Sequence, residues 1–396
     1  MCLCKNFNNK TLKTKMRILY LITNNSLADG IARHILNISA YFVKHPELGI
    51  EIAVCIAMPP GDLTTSLESA GVRVYHLNGT SGHSFKIFWN FRKVIKDFKP
   101  DMIHSHVMAL MERIYLSLFG RNIPIVGTVH GITMEHLGGK FAKPVTLKQK
   151  IERSLYHLFS VKTKKTIYIS RGVQDFYHGD KDSVYIYNPM EFQEVLPHKN
   201  SLHKILEISK DSPVIGTACR ISAPKDPEAF TEVMCMVLSS MPNAHAVVCG
   251  SSEENMKSLE EIVSKYNVSE RFHWMGYRKD APELVKDFDC FVMTSVTEGL
   301  PTALLEAMAN KIPVAFMETN GGMKDIAEIH RTEGPIGICV DAGECEKMAQ
   351  MIIEMLNQKT GAALAERAYT VCKKHFSMPV VIEKLQKVYI GSVNQR

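Results

Sequence analysis

Residues Glu298-Gly-Leu-Pro-Thr-Ala-Leu-Leu-Glu306-Ala-Met-Ala309 place two carboxylates eight positions apart, with a glycine, a proline and an apolar helical run between them. A strand-like segment, Asp289-Cys-Phe-Val-Met-Thr-Ser295, precedes this stretch, and another, Ile312-Pro-Val-Ala-Phe316, follows it. The order strand, loop, helix, strand is that of a parallel sheet with crossover helices. Glu298 then falls in the loop after a strand, and Glu306 one or two turns into the helix. Pro301 suits the first helical turn, where its missing N–H costs nothing. The helix start offers free backbone N–H groups beside Gly299, a setting that suits an anion.

The same alternation extends outward in both directions. In the first half, apolar runs at Arg17-Ile-Leu-Tyr-Leu-Ile22, Ile50-Glu-Ile-Ala-Val-Cys-Ile56 and Val72-Arg-Val-Tyr-His-Leu77 predict strands. So do Met102-Ile-His-Ser-His106, Ile125-Val-Gly-Thr-Val-His130 and Thr166-Ile-Tyr-Ile-Ser170. Around residues 188–212 the pattern gives way to polar, proline-containing chain, which reads as a linker. It then restarts with Val214-Ile-Gly-Thr-Ala218, Ala244-His-Ala-Val-Val-Cys249, Arg271-Phe-His-Trp-Met275, Cys290-Phe-Val-Met293, Pro313-Val-Ala-Phe316 and Gly337-Ile-Cys-Val340. Short apolar runs separated by helical periods mean parallel sheets covered on both faces. A chain of 396 residues suits two such units better than one large sheet. The expectation is an α/β protein of two doubly wound Rossmann-like domains facing across a cleft. Ligands would bind beyond the carboxyl ends of the strands.

Composition narrows the class. The apolar fraction of 45% and charged fraction of 22% are those of a globular protein. Ten cysteines are scattered with no Cys-x-x-Cys pair, which argues for reduced thiols in a cytoplasmic protein rather than zinc or disulfides. Residues 1–15 are polar and basic and read as a disordered leader, not a signal peptide. No run approaches the length of a membrane span. Residues 1–200 carry 26 Lys+Arg against 15 Asp+Glu and residues 201–396 carry 21 against 26, halves of opposite sign within a total of +6. Either the first half faces an anionic partner such as a membrane surface, or this is ordinary surface variation. No nucleic-acid partner is expected. Residues 85–99 are basic and aromatic, with Phe88, Phe91, Ile95 and Phe98 on one helical face. That face docks either on a membrane surface or, as every doubly wound domain requires, on the first sheet.

Several residues carry candidate chemistry. Arg220 and Lys225, five apart at a strand end and its loop, can converge on one diphosphate, as a planar fork and a point charge. Taken alone they also fit a surface cation pair. A phosphate flanked by Glu298 and Glu306 suggests nucleotide-sugar chemistry, with the acids on hydroxyls and the helix start, through Gly299, Leu300 and Pro301, on phosphate. Helix capping and a solvated face are the plainer reading of the acids. A glycosidase pair is disfavoured, because the acids do not straddle one bond and the cations would have no role. Gly30 and Arg33 open the first helix, where the glycine lets phosphates approach backbone N–H groups. There is no Gly-x-Gly-x-x-Gly after the first strand. His130 ends a strand before Gly131 and can point into the cleft. His104 and His106 alternate on one strand without a third metal ligand, and His106 ends that strand. Gly321-Gly322 lines a ligand pocket or makes a plain turn.

In order along the chain come Asp29-Gly30-Ile-Ala-Arg33, Lys99-Pro-Asp-Met-Ile-His104-Ser-His106, Thr128-Val-His130-Gly131 and Tyr187-Asn188-Pro-Met-Glu191. Cys219-Arg220-Ile-Ser-Ala-Pro-Lys225, Trp274-Met-Gly276, the Glu298/Glu306 motif and Asn320-Gly321-Gly322 follow. From about residue 17 to about 390 the chain resembles the retaining glycosyltransferases of family 4, with the two-domain GT-B architecture. It departs from that pattern at Asp29, Cys219, Lys311 and Pro189, where the family usually has glycine. It departs again at Asp226-Pro227, where the family has glycine or asparagine.

The resemblance implies a residue-by-residue reading. Glu306 would bind ribose hydroxyls, and Glu298 would face the donor sugar. Arg220 and Lys225 would stabilise the leaving diphosphate without a metal, and His130 would lie beside donor sugar and acceptor. The catalytic set is then His130, Glu298, Arg220 and Lys225. The donor set is Gly30, Arg220, Lys225, Glu298, Gly299, Leu300, Pro301 and Glu306, and the acceptor set is Arg33, His106 and His130. Residues 16–195 would form the acceptor domain, 196–377 the nucleotide-sugar domain, and 378–396 a helix returning to the first. The implied reaction moves a hexose or N-acetylhexosamine, with retention, from a nucleoside-diphosphate sugar to a glycan, in the reading here a lipid-linked one in surface-polysaccharide assembly. The protein would be cytoplasmic or peripheral at the inner face of the plasma membrane. Two rivals stay open: another GT-B enzyme, such as a nucleotide-sugar epimerase or a soluble glucan or sucrose-type synthase, and a non-catalytic sugar-nucleotide-binding partner.

Overall fold

A computed structural model describes residues 15–27, 30–79, 86–106, 110–132, 137, 161–192, 201–252 and 256–393. The leader before Lys15, Asp29 and the middle of the expected linker, residues 193–200, lie outside the described residues.

Among the described residues the first sheet contains seven strands: β1 Met16–Ile22, β2 Ile50–Ile56, β3 Arg73–His76, β4 Met102–Ser105, β5 Ile125–Val129, β6 Lys165–Tyr168 and β7 Ser183–Tyr185. All pair in parallel, in the order β3-β2-β1-β4-β5-β6-β7. The second sheet contains β8 Val214–Ala218, β9 His245–Cys249, β10 Phe272–Trp274, β11 Cys290–Met293, β13 Val314–Glu318 and β15 Ile338–Asp341. It too is parallel, in the order β10-β9-β8-β11-β13-β15. The expected α/β architecture of two doubly wound sheets is therefore present. The strand order reverses between β1 and β4 in one sheet and between β8 and β11 in the other, and such switch points open crevices at the carboxyl ends.

The strands are apolar on both faces because helices cover both faces. In the helix Gly30–Lys44 the buried positions Ala32, Ile35, Ile38 and Phe42 recur at helical spacing against the first sheet. The basic aromatic helix spans Lys86–Phe98 and buries Ile87, Phe91, Val94 and Phe98, with Phe88 and Ile95 half-buried on the same cluster. Its apolar face is thus committed to the core, the second of its two sequence readings. Trp89, on the opposite face, is 63% exposed. The last helix, Met378–Val393, packs Val381, Ile382, Leu385 and Tyr389 into the cluster that contains β1. Each such burial contributes about 1.5–3 kcal/mol, which explains why the chain end is held on the first sheet.

Three elements depart from the sequence reading. β7 is a short edge strand that the sequence reading did not single out. Glu298 lies not in open loop but on a two-residue strand, β12 Thr297–Glu298, which pairs in parallel with β14 Asn320–Gly321. Pro301 occupies the cap before the helix Thr302–Ala309 rather than its first turn, and that cap makes no side-chain bond to the helix amides.

Candidate active site

A pocket lies at the switch point of the second sheet. It encloses roughly 380 Å3 of open space and is lined at the ends of β8 and β11 by Thr217, Cys219, Lys225, Trp274, Thr294 and Ser295, among others. Lys225 closes a short turn, Ala223–Lys225, that is tied to the β11 end at both levels of structure. Thr294 Oγ1 donates to the carbonyls of Lys225 and Asp226, both at 3.1 Å, and Val296 N donates to Pro224 O at 2.9 Å. Asp226 then takes the left-handed conformation, φ 49°, and its side chain accepts from Ala229 N at 3.2 Å to cap the helix Pro227–Ser240. Aspartate tolerates this conformation, so the departure from a family glycine or asparagine keeps the turn and adds a cap.

On this turn Lys225 Nζ donates to Glu298 Oε1 at 2.5 Å, and Ser295 Oγ donates to the same oxygen at 2.7 Å. The pair is largely shielded, with side chains 24% and 11% exposed. Two of the expected residues, 73 positions apart in sequence, are therefore in direct contact. Ser295 belongs with them and was not singled out from sequence, where it read only as the end of a strand. Arg220 lies two residues beyond the end of β8 and is exposed. Leu300 and Pro301 are buried beneath the start of helix Thr302–Ala309, with Gly299 half-buried beside them.

Glu306 lies in the second turn of that helix, with its side chain reaching solvent from a partly desolvated position. This partial desolvation raises its carboxyl above the ordinary range, and the guanidinium of Arg33 lowers it in part. Arg33 belongs to the first domain and is anchored through Nε to Leu27 O at 2.8 Å. An arginine read from sequence as acceptor-facing thus lies within electrostatic reach of an acid read as donor-binding. Gly30, at the head of the same helix, is exposed, and a Cβ built on it meets nothing within 4 Å. The position is open there, and among the described residues nothing demands a glycine.

The first domain contributes a cluster of imidazoles at the ends of β4 and β5. His106, 2% exposed, faces His130, with Nδ1 and Nε2 3.1 Å apart. His34 packs edge-on to both rings at 5.7 and 5.5 Å between centroids. His104 is buried against His106 at 4.2 Å and bonds to Thr128 Oγ1 at 2.7 Å and to the Tyr389 hydroxyl at 2.8 Å. Tyr389 in turn bonds to Tyr20 at 2.5 Å. Burial first, and neighbouring imidazoles second, hold His104 and His130 down at about 3 and depress His34 and His106 well below the usual value. All four are neutral near pH 7 and act as hydrogen-bonding groups, not cations. His34 and Tyr389 could not be found from sequence, since they lie on the first and last helices.

Glycines bring the two domains together. A Cβ on Gly299 would stand 2.1 Å from His130 O and 3.0 Å from Gly131 Cα. His130 and the Glu298–Gly299 segment are therefore back to back across the domain boundary.

Two family models match this chain: Glycosyltransferase Family 4 over residues 28–193 and Glycosyl transferases group 1 over residues 198–371. The Escherichia coli UDP-Gal:alpha-D-GlcNAc-diphosphoundecaprenol alpha-1,3-galactosyltransferase is 23% identical over 318 residues, which is 76% of this chain and 78% of that one. The Campylobacter jejuni N,N'-diacetylbacillosaminyl-diphospho-undecaprenol alpha-1,3-N-acetylgalactosaminyltransferase is 24% identical over 296 residues, 70% of this chain and 76% of that one. The crystal structure of Anabaena HepE in complex with UDP and glucose matches at TM-score 0.74 and 17% identity, covering 95% of this chain and 100% of that one. That last likeness is one of fold, the two-domain GT-B arrangement.

Proposed function

The chain belongs to the family 4, group 1 glycosyltransferases, and from that premise we propose that it transfers a hexose or N-acetylhexosamine from a nucleoside-diphosphate sugar, with retention, to a glycan carried on a lipid diphosphate. The observation that carries this reading is the convergence of Lys225, Ser295 and Glu298 at the switch point of the second sheet, with His130 behind them. The two bacterial relatives are named for transfer to diphospho-undecaprenol-linked sugars, which supports the acceptor class.

In the proposed reaction the bond from the anomeric carbon to the diphosphate oxygen breaks while an acceptor hydroxyl attacks the same face. The departing phosphate oxygen takes the acceptor's proton. Arg220 and Lys225 stabilise the charge that develops on the diphosphate, without a metal. Glu306 accepts hydrogen bonds from ribose hydroxyls, and Glu298 holds the donor sugar through its hydroxyls. The start of helix Thr302–Ala309, with Gly299, Leu300 and Pro301, and the head of helix Gly30–Lys44 receive the phosphates. His130, a neutral imidazole, bonds donor sugar or acceptor, with His106 beside it on the acceptor side. Arg33 lines the mouth between the two sets. Residues 16–195 and 378–396 would form the acceptor domain and 196–377 the donor domain.

Among the described residues no helix is long and apolar enough to cross a membrane. We assign the protein to the cytoplasm, at the inner face of the membrane that carries its acceptor. The exposed face of helix Lys86–Phe98 presents Trp89, Arg92, Lys93 and Lys96 to that surface.

A thermal-shift screen of UDP-, GDP- and ADP-sugars tests the donor assignment, since a ligand at 100 times its Kd stabilises by about 2.7 kcal/mol. One base should raise Tm, with slow release of free nucleotide that disappears in Lys225→Ala. Conversion of the donor to its epimer, or no response to any base, would refute the proposal.

A further inference from the structure

Asp325 lies in the first turn of the helix Gly322–Glu333 in the second domain and is only 7% exposed. A buried carboxylate persists only with hydrogen-bond partners, and this one finds them in the other domain. Its Oδ2 accepts Arg171 N and its Oδ1 accepts Gly172 N, both at 2.7 Å. The Tyr187 hydroxyl lies beside it and favours its charged form. Arg171 and Gly172 open the helix Arg171–Phe176, whose next amide, Val173 N, donates to Ser170 Oγ at 3.2 Å. One helix of the first domain is thus capped partly by its own serine and partly by an aspartate of the second domain.

This cap connects by close contacts to both halves of the active site. A Cβ on Gly172 would stand 2.0 Å from Gly321 O, so the capped helix and β14 touch backbone to backbone. Gly321, at φ 72°, pairs with Glu298, and a Cβ on it would stand 2.0 Å from Glu298 O. The next residue, Gly299, abuts His130 O. The chain's two crossings between domains lie side by side, with Met190 N donating to Phe376 O at 2.7 Å and Met190 bridging to Ser377. Paired crossings by themselves make a hinge, and the Asp325 bonds add a separate attachment that fixes its angle.

We infer that Asp325 is a positioning residue for the transfer reaction: by capping a first-domain helix from the second domain, it holds Glu298 and Gly299 against His130. It touches no reacting atom, and the inference rests on the roles proposed above for Glu298 and His130. Misplacement by about 1 Å across such a junction costs on the order of 100-fold in rate. The groups that bind the nucleotide lie mostly in the second domain, so its affinity should be spared.

The test uses the full chain with Asp325→Asn, which turns an N–H toward an N–H, and Tyr187→Phe, which deletes one hydroxyl and keeps the ring. Three quantities are measured: Kd for UDP, GDP and ADP by calorimetry, kcat for sugar-nucleotide turnover, and hydrogen exchange at Arg171 and Gly172. Asp325→Asn should lose amide protection at both residues and lose kcat at least about ten-fold, with the nucleotide Kd changed less than two-fold. Tyr187→Phe should lose a few-fold in kcat in the same pattern. Lost protection with unchanged kcat would overturn the inference, and so would equal losses in kcat and nucleotide affinity. A wild-type protein that turns over no sugar nucleotide would overturn the functional reading itself, whatever the exchange data show about the cap.

Discussion

Lys225 Nζ and Glu298 Oε1 are 2.5 Å apart, so the cation assigned to the leaving group and the acid assigned to the sugar hold each other in place. Removing either leaves the other as a poorly solvated charge. Lys225→Ala and Glu298→Ala should each lower kcat/KM for the donor by about 10²–10³-fold, or about 2.7–4 kcal/mol. The double variant should fall well short of the product of the two, because contacting residues are not additive. Steady-state rates for the four proteins decide this, and full additivity would separate the two roles.

Glu306 is assigned to ribose hydroxyls, which gives a test that does not depend on turnover. Glu306→Ala should weaken nucleoside-diphosphate binding by about 1–3 kcal/mol, the cost of leaving hydrogen-bonding groups unpaired. The 2′-deoxynucleotide should already bind more weakly to the wild type and should lose less from the substitution. Calorimetry with both nucleotides measures the difference, and equal losses would place Glu306 elsewhere.

The imidazole cluster predicts acid sensitivity with a defined sign. His104 and His130 are depressed to about 3, and His34 and His106 are depressed too, so below about pH 6.5 the unfolded chain takes up protons that the folded chain refuses. Stability is therefore full above about pH 6.5 and falls as pH drops toward 3, by up to about 1.4 kcal/mol per pH unit for a fully buried member such as His104. The midpoints of denaturant melts should fall as pH drops across this window, and His104→Asn should flatten that dependence on pH. A slope unchanged by that substitution would contradict the assignment.

Two glycines should behave in opposite ways. Gly299→Ala drives a methyl toward His130 O and should destabilise by about 1–3 kcal/mol, as overpacking does. Gly30→Ala, in open space at a helix head, should leave stability unchanged or raise it by about 0.4–1 kcal/mol. If phosphate approaches there, donor affinity should nonetheless fall.

Chelation should leave activity intact, because Arg220 and Lys225 are assigned the charge of the diphosphate. Rates measured in EDTA and after adding back manganese or magnesium test this, and strict metal dependence would reassign the leaving-group stabilisation.

The long apolar strands and their alternation with helices were legible because burial on both faces leaves a continuous signal. β7, β12 and β14 were not, since strands of two or three residues carry no period and depend on their neighbours. The paired acids and cations stood out by spacing, but their direct contact did not. It arises from Thr294 and Val296 pinning the lysine turn to the end of β11. His34, Tyr389 and Asp325 gave no local sign, because each meets its partners only through tertiary packing. Asp325 reaches across 154 positions to Arg171, and a single acid in a helical first turn reads as an ordinary helix-dipole residue.

The central claim is transfer with retention from a nucleoside-diphosphate sugar, and proton NMR of the anomeric signal tests it most directly. Purified protein is mixed with the sugar nucleotide chosen by thermal shift, and the first sugar released or transferred is observed before mutarotation. The account predicts that an α-configured donor yields an α-configured product, with free nucleoside diphosphate appearing in step. A β-configured first product, or a donor that is bound and never cleaved, would contradict it.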